Sequence, residues 1–422
     1  MSRAIYWFRN DLRLEDNEGL VKATEDNLEV LPVYVMDSRW LRGKQFGIDR
    51  TGPFRMKFLL DSLRDLKTQL QAVGADLYFT IGNPVEVLSD LCKQYNCTKI
   101  YGQETTSYYE HTNELELSQS LPCEFLWGET LYHKADLNFT INELPEVFTQ
   151  FRKAVEKKTI VRKTIEAPLR ISSPPEFGTD IPDAGTLGYE VPEVDKRSVI
   201  HFEGGSSKAT QRLNYYLWEK ELLSTYKSTR NGLIGGDYSS KFSPWLAIGA
   251  ISPRQVYWQV KKYEKYIKKN SSTYWLVFEL LWRDYFHFVA KKYGKQIFQR
   301  TGILGDEELH RGSDKHFSLW ADGRTGEPFV DANMKELNRT GFMSNRGRQI
   351  VASYLIHTMK TDWRLGAAYF EKMLIDYDPC SNYGNWMYIA GVGNDPRGGR
   401  DFDVDWQKQN YDPQGRYQAL WA

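Results

Sequence analysis

Three short segments of this 422-residue chain gather side chains that would be costly together unless they meet a ligand or one another. The first reads Gly235-Gly236-Asp237-Tyr238-Ser239-Ser240-Lys241-Phe242-Ser243-Pro244. Glycines lead into hydroxyls and a lysine. A serine N-cap followed by proline at the first helical position then predicts a helix start. Free backbone N–H groups, the positive end of the helix dipole and three serine hydroxyls converge there, so a diphosphate fits. A capped helix start that binds nothing is the competing reading. The second segment, Thr340 to Gln349, sets Asn345, Arg346 and Arg348 at the front of an apolar helix that continues through Ile350 to Leu355. Such groups are expensive without partners. The third, Leu374 to Asn382, places Asp376 and Asp378 beside an apolar helix end, where one of them can pair with Arg348 in a charge-assisted bond. An interhelical salt bridge with no ligand satisfies the same pattern.

The elements that must position these groups fall into two styles. Short β-branched or aromatic runs at Ala4 to Phe8, Val30 to Val35, Asp76 to Ile81, Lys99 to Gln103 and Cys123 to Leu126 read as buried strands. Between them lie helical patterns, clearest from Phe54 to Val73, where Phe58, Leu59, Leu63, Leu66 and Leu70 share a face. Alternation of this kind predicts a doubly wound, parallel α/β domain over residues 1–130. No GxGxxG follows the first strand, which argues against a dinucleotide on the Rossmann fingerprint. The prolines from Pro168 to Pro192 sustain neither period, so residues 131–208 are expected to be a connector between domains. Beyond Ala209 the period is helical, as in Thr210 to Tyr226, Pro253 to Lys268, Tyr274 to Tyr293, Asn345 to Met359 and Trp363 to Leu374. Residues 209–422 are therefore expected to form an all-α domain.

Length favours two domains over one core. The net charge is zero. That average hides an asymmetry: residues 1–210 hold 25 Lys and Arg against 32 Asp and Glu, and residues 211–422 hold 30 against 23. A basic second half suits phosphates, or is simply a solvated face. The 13 Trp and 26 Tyr suggest stacking on a cofactor or bases, with a large aromatic core as the plainer account. Cys92, Cys97, Cys123 and Cys380 lack paired CxxC spacing and read as reduced thiols, which makes the cytoplasm the expected compartment. No apolar run approaches the ~20 residues of a membrane helix, and no metal site is expected.

The opening Tyr6-Trp7-Phe8-Arg9-Asn10-Asp11-Leu12-Arg13-Leu14-Glu15-Asp16-Asn17 resembles the N-terminal hallmark of photolyases and cryptochromes. Phe278 to Phe286, Trp320 to Gly326 and Asp331 to Met334 resemble further blocks in the same order. Gly235 to Ser243, Gln349 after Arg348, and Gly391-Val392-Gly393-Asn394-Asp395 resemble the cryptochrome DASH branch in particular. The likeness spans nearly the whole chain, and it speaks for family more strongly than for activity.

The resemblance implies FAD folded within the helical domain. Ser239, Ser240, Lys241, Phe242 and Ser243 match the positions that hold its diphosphate, and Tyr226 and Arg283 match further contacts. Asn345 matches a position facing flavin N5, Arg348 and Asp376 an ion pair beside the ring, and Asp378 and Asn382 positions near its polar edge. Glu279, Trp282, Gln349 and Asn345 are the implied catalytic set, Trp282 stacking on an extruded pyrimidine dimer. Glu279, if neutral or bridged by water, would hydrogen-bond the lesion; a buried acid paired with a neighbouring Arg is its plainer reading. The implied reaction is blue-light electron transfer from reduced flavin to a cyclobutane pyrimidine dimer, preferentially in single-stranded or looped DNA, by a monomer. Alternatives are a duplex photolyase, or a photoreceptor and DNA-binding regulator without repair. Ser344 and Gln349 stand where six-four photolyases carry a His pair. Trp386 and Trp363 match the inner two positions of a tryptophan relay, while the outer position is His310, a poor one-electron donor, so photoreduction is expected either to stall or to leave by another aromatic such as Trp320 or a Tyr. Glu104, within Gln103 to Thr106, resembles a contact to a methenyltetrahydrofolate antenna, with a surface carboxylate as the equal alternative. With the sequence ending at Ala422, where family chains commonly run on, no signalling tail is expected.

Overall fold

In a computed structural model that describes residues 2–305, 313–395 and 397–422, five parallel strands form the first half of the chain. They are β1 (Arg3–Phe8), β2 (Glu29–Asp37), β5 (Tyr78–Gly82), β6 (Lys99–Glu104) and β7 (Cys123–Trp127), with a small hairpin of β3 (Lys44–Gln45) and β4 (Ile48–Asp49) between them. The sheet order is β5-β2-β1-β6-β7, every neighbouring pair parallel. Strand β1 shows why its residues leave no polar gap. Ala4, Tyr6 and Phe8 face one apolar cluster with the Pro53–Ala72 helix, and Ile5 and Trp7 face another with Leu88, Leu91 and Leu117. Burial on both faces is what turns a parallel strand into a continuous apolar run.

The second half is helical. Its central member, Ser271–Tyr293, is started by Asn270, whose side chain accepts from the N–H groups of Ser272 and Thr273. Two expected helices break. The pattern over 210–226 runs as a helix Ser206–Asn214 into a π-helical turn Tyr215–Glu219 and stops at Glu221, whose φ of 51° is left-handed. The pattern over 345–359 likewise passes from helix Asn345–Ser353 into a π-helical turn Tyr354–Thr358. Side-chain spacing alone does not distinguish such a turn from α-helix.

The segment expected to connect the halves contains a helix, Phe148–Lys158. Phe148 and Phe151 lie 5.7 and 5.2 Å from the Tyr285 ring, pinning it to the central helix. Farther on, Ile171 N–H donates to Val73 O and Thr179 N–H to Leu77 O, so the chain follows the sheet's edge rather than hanging free. Buried pairs close the seam between halves: Asp16 with Arg254 at 2.8 Å, and Glu371 with Arg50 at 2.8 Å. Among the described residues no helix is long and apolar enough to cross a membrane.

Candidate functional site

A cavity of about 560 Å³ opens among the helices of the second half. The Ser271–Tyr293 helix supplies one wall, because Glu279, Trp282, Arg283 and Phe286 recur at helical spacing and all face it. Asn345, Arg346, Arg348 and Gln349 line it from the first turn of Asn345–Ser353, which Ser344 caps by accepting from Gly347 N–H. That turn sits close against its neighbour: a Cβ on Gly347 would come within 2.0 Å of Asn333 Oδ1. The whole loop Ser239 to Ser243, with Tyr226, Asp376 and Asp378, completes the lining. Asp378 also starts the Pro379–Ala390 helix, accepting from Cys380 and Ser381 N–H.

Three separate segments meet at one carboxylate. Arg348 NH2 donates to Asp376 Oδ2 at 2.8 Å, and Ser243 Oγ donates to the same oxygen at 2.6 Å. The Asp376 side chain is 1% exposed, so this pair is buried at its acidic end. Among the described residues, four buried polar atoms of the cavity wall have no hydrogen-bond partner: Lys241 Nζ, Arg346 Nε, Gln349 Oε1 and Asp376 Oδ1. Buried polar groups are nearly always satisfied, so two orphan donors and two orphan acceptors around one space point to a polar ligand. Lys241 is the extreme case. It has a left-handed φ of 60°, and its Nζ lies 3.1 Å from the centroid of the Tyr238 ring. Burial pulls its ammonium well below the usual range.

At the mouth, Glu279 Oε1 meets Arg230 NH1 at 2.6 Å. Burial pushes the Glu279 carboxyl above its ordinary value, and Arg230 pulls it back only in part. Trp282 has one face covered by Phe148, stacked at 3.6 Å, and lines the cavity with what remains.

Other expected residues lie elsewhere. Asn382 is not part of the lining; it is buried behind the wall, with Nδ2 donating to Ala367 O at 3.0 Å. Trp386 and Trp363 are buried outside it. Trp386 packs edge-on to Phe370 and Trp320, at 5.1 and 6.1 Å, and Trp363 edge-on to Tyr383 at 6.1 Å. A Cβ on Gly366 would come within 2.2 Å of the Trp386 ring, so that glycine admits the indole against the Trp363–Met373 helix. His310 lies outside the described residues. Glu104 pairs with Lys291 at 3.0 Å and with Lys134. Arg230, Arg400 and Phe402 line the cavity without having stood out in the sequence, whereas Arg346 did, by its place beside Arg348.

Residues 4–170 match the family described as DNA photolyase, and residues 275–422 the FAD binding domain of DNA photolyase. A cryptochrome DASH from Xenopus laevis is 48% identical over 425 residues, covering 98% of this chain and 81% of its own. The chain belongs to the photolyase/cryptochrome family, in its cryptochrome DASH branch. Another branch member, a chloroplastic/mitochondrial cryptochrome DASH from Oryza sativa subsp. japonica, is 46% identical across 99% of this chain and 76% of its own. The solved Synechocystis sp. cryptochrome superposes with a TM-score of 0.96 at 45% identity, covering all of this chain and 88% of that one. A class III photolyase from Agrobacterium tumefaciens gives 0.86 at 26%, covering all of this chain and 86% of that one. FAD is the cofactor such a domain binds, and the wall suits it. A diphosphate would satisfy the orphan Lys241 Nζ, and a polar ring system would offer partners to the remaining orphan atoms of the wall.

Proposed function

We propose that this chain is an FAD-dependent, blue-light-driven lyase that splits cyclobutane pyrimidine dimers, preferentially in single-stranded or looped DNA. What carries the reading is the cavity itself: unsatisfied polar atoms deep in its wall and, at its mouth, an acid paired with Arg230 whose carboxyl burial pushes up. When bound there in reduced form, FAD supplies on illumination the electron that opens the dimer and receives it back. The Ser239 to Ser243 loop and Lys241 would hold the diphosphate. Arg348, fixed by Asp376 and by its own Nε–H bond to Met343 O at 2.9 Å, would set a positive charge beside the ring. Asn345, Asp378, Tyr226 and Arg283 would complete the contacts, with Asn382 supporting the wall from behind.

The mouth would take the lesion. Arg230, Arg346 and Arg400 present cations there, so a phosphate drawing Arg230 away would leave Glu279 in a desolvated place with no counter-charge. Its neutral form would then donate to a pyrimidine carbonyl and stabilise charge arriving on it. Trp282, backed by Phe148, offers a rigid stacking surface, and Gln349 brings an uncommitted carbonyl oxygen. Extrusion costs least where the strand is unpaired, which favours single-stranded substrate. Trp386 and Trp363 are proposed to carry electrons toward the cavity. A folate antenna at Glu104 rests on the resemblance, since Lys134 and Lys291 already neutralise that carboxylate. A monomer and a cytoplasmic setting are proposed too, the latter on four unpaired thiols; the Oryza sativa relative is chloroplastic/mitochondrial.

The test is turnover of one defined dimer in single-stranded and duplex oligonucleotides, with reduced flavin, in blue light and in the dark. Light-dependent repair that is faster in the single strand is expected. Equal rates would remove the strand preference. No turnover by flavin-loaded protein would favour a photoreceptor, and a near-ultraviolet band beyond the flavin's own would report the folate.

A further inference from the structure

Behind the cavity wall lies a buried polar cluster that the proposed chemistry does not use. His287 follows Arg283 by one helical turn and is 2% exposed. Its Nε2 meets Asp378 Oδ2 at 2.8 Å, and its Nδ1 meets Thr106 Oγ1 at 2.7 Å and Glu129 Oε2 at 3.4 Å. Thr106 Oγ1 in turn lies 2.7 Å from Glu129 Oε2, which also accepts from Thr106 N–H at 2.9 Å. Thr106 follows β6 and Glu129 follows β7, so the α/β half reaches through this chain of contacts to a residue lining the cavity.

Three short contacts need three hydrogens. With both carboxylates ionised, a neutral imidazole and the threonine hydroxyl supply only two, and one contact becomes a clash of lone pairs. An imidazolium supplies the third: Nε2–H to Asp378, Nδ1–H to Thr106, and Thr106 O–H to Glu129. A proton on Glu129 or on Asp378 instead would also complete the count, but the surroundings favour the first arrangement. Burial opposes the charge on His287, yet Asp378 and Glu129 together hold it well above its usual range. Burial likewise opposes the Asp378 carboxylate, and His287 holds it well below.

We propose that His287 is a positioning residue, a buried imidazolium that keeps Asp378 an anion in the cavity wall and so fixes the charge beside the cofactor across the working pH range. This rests on FAD occupying the cavity, not on repair. The other titratable groups facing the cluster are few. Arg283 adds a cation and donates to Glu129 O at 2.5 Å. The Cys380 thiol is pushed up to about 11 by burial and stays neutral. Asp284, on the same helix, is raised to about 6 by burial, with Arg283 and His287 pulling it back, so its own step moves up in both variants that lack a cation at 287 and cancels when those two are compared with each other.

The experiment follows the absorption spectrum and midpoint potential of the bound flavin from pH 5 to 9. Wild type should show no step attributable to Asp378. His287→Gln should add a one-proton step, because Asp378 loses the stronger of its two cationic neighbours, Arg283 being the other, while burial still pushes its carboxyl up. His287→Gln with Asp378→Asn should lose that step, and His287→Arg, a cation that burial does not neutralise, should restore the wild-type profile. A folded, flavin-loaded His287→Gln protein whose profile superposes on wild type overturns the proposal. Should that variant fail to fold, nitrogen-15 spectra of the wild-type holoprotein decide. One of its seven histidines should keep both ring nitrogens protonated at pH 9, and seven neutral rings at that pH overturn the proposal equally. None of these readouts involves DNA, so absent repair leaves them standing. Failure to load flavin would instead show as missing absorbance and count against the proposed function.

Discussion

Arg348→Leu should separate the two accounts of the Arg348–Asp376 pair. The Asp376 side chain is 1% exposed, its Oδ2 takes Arg348 at 2.8 Å and Ser243 at 2.6 Å, and its Oδ1 has no partner. Removing the guanidinium leaves a buried carboxylate with one hydroxyl. Breaking a buried pair costs about 3–5 kcal/mol. Arg348 is 23% exposed, so water reaches that end and the lower figure, about 3 kcal/mol, applies. Adding Asp376→Asn removes the stranded charge and should return most of that stability, leaving about 1 kcal/mol for lost hydrogen bonds. FAD affinity should behave differently. A charge-assisted bond to the cofactor is worth about 1.5–3 kcal/mol, so both variants should bind FAD roughly ten- to hundredfold more weakly than wild type. Urea unfolding of the flavin-free protein gives the first quantity, and equilibrium titration with FAD gives the second. A double variant that binds FAD as tightly as wild type would make the pair a salt bridge and nothing more, and a single variant that loses under about 1 kcal/mol would show that water already screens the carboxylate.

Three further outcomes are expected. Burial raises the Glu336 carboxyl from 4.5 to about 7, with Tyr417 donating to its Oε2 at 2.6 Å. A folded-state value above the unfolded one means the stabilisation is complete below pH 4.5 and is lost as pH rises through 7, a change on the order of 3 kcal/mol. Thermal melts of Glu336→Gln should therefore be flatter than wild type between pH 5 and 8, and parallel curves would refute the assignment. If Glu279 acts as a neutral donor, Glu279→Gln should keep most of the repair yield per photon while Glu279→Ala loses most of it; matched losses in both would return Glu279 to a plain partner of Arg230. Trp363→Phe should lower the yield of flavin photoreduction, and an unchanged yield would move the electron route to the Trp320 contact with Trp386.

What the sequence made legible is what local spacing encodes. The five strands of the sheet could be placed because burial on both faces writes itself as apolar runs, and Glu279, Trp282, Arg283 and Phe286 share a face by helical arithmetic. Phe148, Phe151 and Val155 carry the same arithmetic over too few turns to stand out against the prolines that follow, so the helix they bury was expected as connector. Contacts between distant segments had no such trace. Arg230 opposite Glu279, and His287 between Asp378, Thr106 and Glu129, are set by how the two halves meet. Asn382 shows the converse, since matching a motif fixed its place in the helix but not the direction of its amide.

Lys241 breaks three rules at once: a non-glycine residue in the left-handed region, a cation in a desolvated site, and an ammonium with no hydrogen-bond partner. Each is unfavourable, and natural sequences tend to accept such conflicts where function requires them. The strain is local to the loop, but what relieves it is not protein. An anion placed against Nζ would favour its charged form and satisfy it in one step, while the turn at Lys241 presents the flanking Ser240 and Phe242 to the same cavity. On the proposed reading the loop is half of a binding site rather than an awkward turn, and an anionic cofactor would offset the cost of burying Lys241.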